Sequence, residues 1–202
     1  ARDLAGRGLK VVLCEKDDLA SHTSSSSTKL IHGGLRYLEY YEFALVRKAL
    51  AEREVLLKSA PHIMWPLRFV MPHDPGMRPV WMIRAGLFLY DHLAKREVLP
   101  GSRTIDLAAH PAGVPLKKVF RRGFVYSDGW VDDARLVMMI ARTAHSYGVS
   151  VATRAKVTGF LREGERVVGV TARDLESGHE FEVRAKCVVN AAGVWTDQIQ
   201  DL

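Results

Sequence analysis

The sequence predicts an α/β fold, and three observations predict it. Residues 9–15, Leu-Lys-Val-Val-Leu-Cys-Glu, form a β-branched apolar run that follows a helix end and a glycine and closes on Glu15. Residues 186–190 form a second apolar run, which leads into the small residues Ala191, Ala192 and Gly193 and then a helix start at Val194. Between the two, stretches of helical period alternate with strand-like runs. Residues 9–15 read as the second strand of a Rossmann-like βαβ unit, whose terminal acid accepts hydrogen bonds from the ribose hydroxyls of an adenosine. A buried strand with a solvated acid accounts for them equally well. A strand running into small residues at a helix start sets backbone N–H groups against an anion or a flat ring.

Taken in order, Ala1 to Gly8 reads as the last turns of a helix closed by glycine, and Val194 to Leu202 as the amphipathic start of another. The chain is therefore expected to be a segment of a longer protein. A helix spans about 42–59, with Phe43, Val46, Ala49, Leu50, Leu56 and Leu57 on its apolar side, and Pro61 stops it. Residues 66–72 alternate as a strand between prolines. Val80 to Lys95 is a helix apolar around most of its surface, which suits burial first and a membrane interface second. Pro100, Pro111 and Pro115 make 97–120 irregular. Residues 123–135 predict a strand, a tight turn at Asp128-Gly129 and a helix capped by Asp132 that runs to Tyr147. Strands follow at 149–153 and 155–161, and a hairpin pairs 166–174 with 179–185. No internal repeat is visible.

The stretch from His22 to Tyr41 has a composition that neither a helix nor a strand favours. Serines and threonines lead to Lys29, and His32 then precedes Gly33 and Gly34 and is followed by Arg36. It reads as a binding loop. Hydroxyls and N–H groups surround an anion or polar ring, the glycines admit a flat ligand, and Lys29, His32 and Arg36 supply charge and proton chemistry. A flexible linker would not continue into alternating apolar and functional residues.

The formal charge of +6 and a pI of 9.4 point to an anionic partner, whether a phosphorylated small molecule, an acidic membrane surface or nucleic acid. The basic residues are scattered, without an aromatic-basic pattern, which makes nucleic acid the weakest of the three. The two cysteines, Cys14 and Cys187, sit in apolar runs and read as core thiols in a reducing compartment. No metal-ligand set, no signal-peptide pattern and no apolar run long enough to cross a bilayer are present.

Four stretches together resemble FAD-dependent glycerol-3-phosphate dehydrogenases, the respiratory enzymes that feed quinone: Val-Val-Leu-Cys-Glu at 11–15, Lys-Leu-Ile-His-Gly-Gly-Leu-Arg-Tyr-Leu-Glu at 29–39, Tyr-Ser-Asp-Gly-Trp-Val-Asp-Asp-Ala-Arg-Leu-Val at 126–137, and Val-Val-Asn-Ala-Ala-Gly-Val-Trp at 188–195. The likeness extends over essentially the whole chain. It departs at Gly129, where the family often has Cys, and at 192–195, where it often has Thr-Gly-Pro-Trp.

The resemblance implies a glutathione-reductase-type FAD-binding domain at 1–60 and 126–202, without its first strand and pyrophosphate glycine loop, and an inserted α+β substrate-domain portion at 61–125. It further implies that Glu15 holds the ribose and Val157 lies beside the adenine. Ser26, Ser27, Lys29, Leu30, His32, Gly33, Gly34 and Leu35 would line the flavin, and Ala192 and Gly193 would close over it. The implied reaction oxidises sn-glycerol 3-phosphate to dihydroxyacetone phosphate by hydride transfer to FAD, with electrons passed on to quinone. The implied location is peripheral, on the anionic cytoplasmic face of the inner membrane, with room for a homodimer.

Removing a hydride from a secondary alcohol also requires a base for the hydroxyl proton, and His32 is the best-placed candidate, with a purely positioning role left open. Arg36 suits either the substrate phosphate or a carboxylate such as Asp132 or Asp133. Two other readings stand beside this one: an amine- or amino-acid-oxidising flavoprotein of the same fold, and a non-catalytic basic binding module. Without the glycine loop, the segment alone is expected not to turn over substrate.

Overall fold

The computed structural model describes residues 1–202. In chain order it contains α1 (Arg2–Gly6), β1 (Val12–Cys14), β2 (Leu30–Ile31), α2 (Phe43–Ser59), β3 (Met64–Pro72), α3 (Val80–His92), β4 (Arg103–Asp106), β5 (Arg122–Val131), α4 (Asp133–Ser146), β6 (Ser150–Ala152), β7 (Ala155–Glu163), β8 (Arg166–Asp174), β9 (Glu180–Arg184) and α5 (Thr196–Gln200). They gather into two compact units, one of Ala1–Ser26 with Asp133–Leu202 and the other of Ser27–Asp132.

In the first unit, β1 and β6 pair in parallel, Leu13 opposite Val151. A parallel pair needs a crossover, and α4 leads directly into β6. Helices α1 and α4 contribute Ala5 and Ala144 to a small core with Val149, against which Val11, Leu13 and Val151 pack. Gly8 adopts a left-handed φ of +83°, and its N–H closes on the Ala5 carbonyl at 2.9 Å, turning the chain from α1 towards β1. Strands β7, β8 and β9 form an antiparallel meander. Asp174 organises its second turn by accepting the Glu176 N–H at 2.8 Å.

In the second unit, β5 is central, with β2, β3 and β4 all antiparallel to it. Alternation puts Tyr126, Asp128 and Trp130 on one face of β5. There Trp130 stacks on Trp65 at 4.5 Å and Tyr126 on Phe69 at 5.2 Å. Each such pair contributes about 0.5–1.5 kcal/mol beyond its buried area. From α2 and α3, Val46, Leu50 and Tyr90 form a buried cluster with Leu35 and Leu38 against it. Ile105, Leu107 and Val125 form another.

Several expectations are corrected. Asp128 and Gly129 lie within β5 instead of in a turn, paired with Leu67 and Pro66. A Cβ on Gly129 would lie 2.3 Å from Met64 Cε and 3.3 Å from the Ile31 carbonyl oxygen, so glycine here serves close strand packing. Residues 103–106, expected irregular, add a strand because β5 offers them its ladder. Residues 186–190 form no strand, since no ladder partner meets them, and Val189 is 70% exposed. Cys187 is accordingly exposed instead of a core thiol, while Cys14 is half-buried and burial pushes its thiol up. The third helix is buried only along Leu87, Tyr90 and Asp91, and Trp81, Met82, Phe88 and Leu89 remain exposed. The start of α4 agrees with expectation: it begins at Asp133, directly after Asp132 at the cap position, and the Asp133 carboxylate accepts the Ala134 N–H at 2.8 Å.

Candidate functional site

Within the first unit, the end of β1 and the turn at 192–195 converge. Glu15 is half-buried and tied into the sheet at both ends of its peptide, donating its N–H to the Ala152 carbonyl and accepting the Ala155 N–H, each at 2.9 Å. One carboxylate oxygen accepts the Asp17 N–H at 2.9 Å. Val157 lies on β7, half-buried, opposite Ala172. The Trp195 ring meets Lys16 Nζ at 5.4 Å from its centroid and the His22 ring at 5.1 Å. His22 is itself held by Asp17 at 2.7 Å, and this bond, with the charge of Lys16 helping, keeps the Asp17 carboxyl below its usual range against the opposing effect of burial. Ala192 donates its N–H to Asn190 Oδ1 at 3.1 Å. Gly193 has φ +59° and open space where a Cβ would stand. Ser26 belongs to this unit and closes a turn onto the His22 carbonyl.

The remaining site candidates lie in the second unit. The expectation that 22–41 contains no regular structure is corrected by β2, where Leu30 and Ile31 pair with Trp130 and Gly129, and by 3-10 turns at His22–Ser24 and Leu35–Tyr40. Residues 22–28 are exposed, and Ser25 Oγ donates to the His22 carbonyl at 3.2 Å. Lys29 turns through a φ of +58° and donates its N–H to Ser27 Oγ at 2.9 Å. Leu35 is half-buried against the α2 and α3 cluster. Arg36 is exposed, and its guanidinium meets no carboxylate.

The His32-Gly33-Gly34 turn is built from below. Both glycines are buried. A Cβ on Gly33 would stand 2.4 Å from Leu50 Cδ2 and 2.9 Å from Tyr90 Cε2, so its missing side chain makes room for the core under the loop. Gly33 donates its N–H to the Tyr90 hydroxyl at 2.7 Å, and Tyr90 in turn donates to Asp128 Oδ1 at 2.9 Å. Asp128 also accepts Arg53 Nη1 at 2.6 Å. Burial pushes the Asp128 carboxyl up, against the pull of Arg53, Tyr90 and His32, and burial together with the Asp128 charge pushes the Tyr90 phenol far above its usual value. His32 is exposed, and its Nδ1 accepts the Gly34 N–H at 2.9 Å.

Arg53, Tyr90 and Asp128 were not singled out from the sequence, although a signal exists for one of them. Val46, Leu50 and Leu57 mark the buried stripe of α2, and Arg53 falls on that stripe at helical spacing, where a charge has to find a buried partner.

The family model for FAD dependent oxidoreductases matches residues 1–202. The chain belongs to that family. It is 58% identical over 203 residues to the D-erythritol 1-phosphate dehydrogenase of Brucella abortus, covering all of this chain and 40% of that protein. It is also 58% identical over 204 residues to a glycerol-3-phosphate dehydrogenase of Pseudomonas aeruginosa, covering all of this chain and 38% of that protein. The chain thus spans about two fifths of the length of the curated relatives it matches. The glycerol-3-phosphate dehydrogenase of Bacillus halodurans, solved in complex with FAD, superposes with a TM-score of 0.72 at 27% identity over 99% of this chain and 32% of that one. For this member of the family the donor set fits FAD chemically. Glu15 stands at the carboxyl end of a parallel strand for a ribose diol, the exposed hydroxyls of 23–28 suit polar ring or phosphate atoms, and Gly193 leaves its outer side open.

Proposed function

We propose that the chain is part of a quinone-linked, FAD-dependent dehydrogenase that oxidises sn-glycerol 3-phosphate to dihydroxyacetone phosphate. The observation that carries this reading is 58% identity across the whole chain to a glycerol-3-phosphate dehydrogenase. FAD, when bound, supplies the acceptor for the hydride leaving the secondary carbon. Glu15 would hold the ribose and Val157 the adenine edge. Ser26, Ser27, Lys29, Leu30, His32, Gly33, Gly34 and Leu35 would line the flavin, and Ala192 and Gly193 would close over it. His32, exposed beside the glycine pair, is the side chain proposed at the reacting hydroxyl, and Arg36, with no carboxylate to neutralise it, the one proposed at the substrate phosphate. In this reading residues 1–60 and 126–202 serve the cofactor and 61–125 the substrate, a functional division that does not follow the packing boundaries at 26 and 132.

No helix of the chain is long and apolar enough to cross a membrane. Peripheral attachment to an anionic cytoplasmic membrane face is supported by the charge of +6 and by exposed Trp81, Met82, Phe88 and Leu89 on α3. Cosedimentation of the full-length protein with anionic but not neutral vesicles is expected, and equal recovery in the supernatant with both would refute it.

A second reading, D-erythritol 1-phosphate as substrate, is favoured by the equal identity to the Brucella abortus enzyme. A dye-linked assay of the full-length, FAD-loaded protein with both polyol phosphates and with amino acids decides. The first reading expects the highest kcat/KM with sn-glycerol 3-phosphate, and a tenfold preference for either other class overturns it.

A further inference from the structure

We propose that Tyr90 is the positioning residue of His32: by fixing the Gly33-Gly34 peptides it holds the imidazole as the tautomer with its proton on Nε2, so that His32 presents an N–H to whatever lies in front of it. The inference rests on the dehydrogenase reading only for what that N–H meets.

Each hydrogen bond from Arg53 through Asp128 and Tyr90 to Gly33 has a forced direction. Asp128 Oδ1 accepts from Arg53, so it serves the Tyr90 hydroxyl as an acceptor too, and the single Tyr90 proton is committed to it. The Tyr90 oxygen is then left to accept, and the Gly33 amide is what it accepts. Arg53, Tyr90 and Asp128 are 2%, 2% and 4% exposed, so water does not compete with these bonds. Leu50 occupies the space a Gly33 side chain would need, which seats the peptide directly on α2 and α3.

The next amide completes the device. Gly34 adopts a φ of +72°, and in that conformation its N–H points back to His32 Nδ1 at 2.9 Å. A backbone amide only donates, so Nδ1 uses its lone pair there and the neutral ring carries its proton on Nε2. In this tautomer Nε2 has no free lone pair, so His32 meets the reacting hydroxyl as a donor and not as the base expected from the sequence; taking up a proton there first requires shifting that hydrogen to Nδ1 and breaking the Gly34 bond. Two consecutive amides thus point in opposite senses, Gly33 inward to Tyr90 and Gly34 back to the imidazole. Releasing the first frees the peptide to turn and opens the other tautomer.

The test uses the full-length protein with FAD bound and no substrate, grown with ring-15N histidine, the His32 signals being assigned by their loss in His32→Gln. The expected spectrum has Nδ1 of His32 in the unprotonated range and Nε2 in the protonated range. In Tyr90→Phe, which keeps the ring and removes the hydroxyl, both signals should move towards the average of two tautomers, and kcat should fall about tenfold with KM within twofold, the weight of one oriented hydrogen bond. Should Tyr90→Phe not fold, Asp128→Asn, which weakens the acceptor of the Tyr90 proton, is expected to move the signals the same way. A protonated Nδ1 in the parent, or unchanged signals in the variants, overturns the proposal. A parent with the expected tautomer that oxidises neither polyol phosphate overturns the functional reading and leaves this one standing.

Discussion

The two glycine turns proposed to face the cofactor are supported in opposite ways. Gly33 and Gly34 rest on buried side chains from α2 and α3, and their support continues through Tyr90 and Asp128 to Arg53, residues far apart in the chain. The hydrogen bonds of the turn at Ala192 and Gly193 stay within a few residues: Asn190 Oδ1 takes the Ala192 N–H, Asn190 Nδ2 reaches the Thr196 carbonyl at 3.1 Å, and Thr196 Oγ1 reaches the Gly193 carbonyl at 2.7 Å. Small residues at a loop therefore carry two meanings. At 33 the side chain is missing for the sake of what lies beneath, and at 193 the outer side is simply open.

The contrast is broken most severely at Asp128. Asp128→Ala leaves the Arg53 guanidinium buried without its main acceptor, and a loss of about 3–5 kcal/mol is expected in chemical denaturation of the full-length protein. A loss below 1 kcal/mol would show that the buried network does not carry the loop. Next is His32→Ala, in which flavin reduction by substrate should slow roughly 10²–10³-fold while the FAD content stays near that of the parent, because the backbone beneath the histidine is unchanged. Loss of FAD with a normal rate in the remaining holoenzyme would make His32 a cofactor anchor instead.

A third prediction sharpens the comparison through pH. The folded-state pKa of Tyr90 lies above the ordinary 10.0, raised by burial and then by Asp128. Its contribution to stability is whole below about pH 10 and is lost as pH rises beyond it, because the unfolded chain releases the phenolic proton first. Urea titrations above pH 10 should show stability falling more steeply in the parent than in Tyr90→Phe, and parallel curves would refute the assignment. The smallest effect belongs to the other turn. Asn190→Ala should cost less than about 1 kcal/mol, the usual weight of exposed local bonds, while FAD affinity falls several-fold if Ala192 and Gly193 close over the cofactor. Unchanged affinity would remove them from the proposed cradle.

Periodicity made most of the scaffold legible. The α2 stripe and the 166–184 hairpin follow spacings written in the sequence. What escaped depends on partners distant in the chain. Asp128-Gly129 is a strong local turn signal, overridden because β5 is central and the Asp128 side chain is taken up by Arg53 and Tyr90. The segment 186–190 carries strand propensity but finds no ladder, and 103–106 carries little yet finds one. The aromatic face of α3 was expected to be buried because hydropathy reports how much apolar surface a helix has, not which part is covered. Among the candidate site residues, the loop could be singled out from its composition, whereas its foundation could not, since Tyr90 reads as one more apolar residue of α3.

The strand packing at Gly129 has a consequence for how this sequence can drift. One small volume is shared by two residues on neighbouring strands, the absent side chain at 129 and the thioether end of Met64, which is 2% exposed. A side chain at 129 is admitted only if Met64 swings aside or shortens, and shortening Met64 alone opens a void. The two positions are therefore an epistatic pair: Gly129→Cys and Met64→Val each destabilise singly, and the double variant costs less than their sum. In related sequences, cysteine at the first position should accompany a smaller residue at the second.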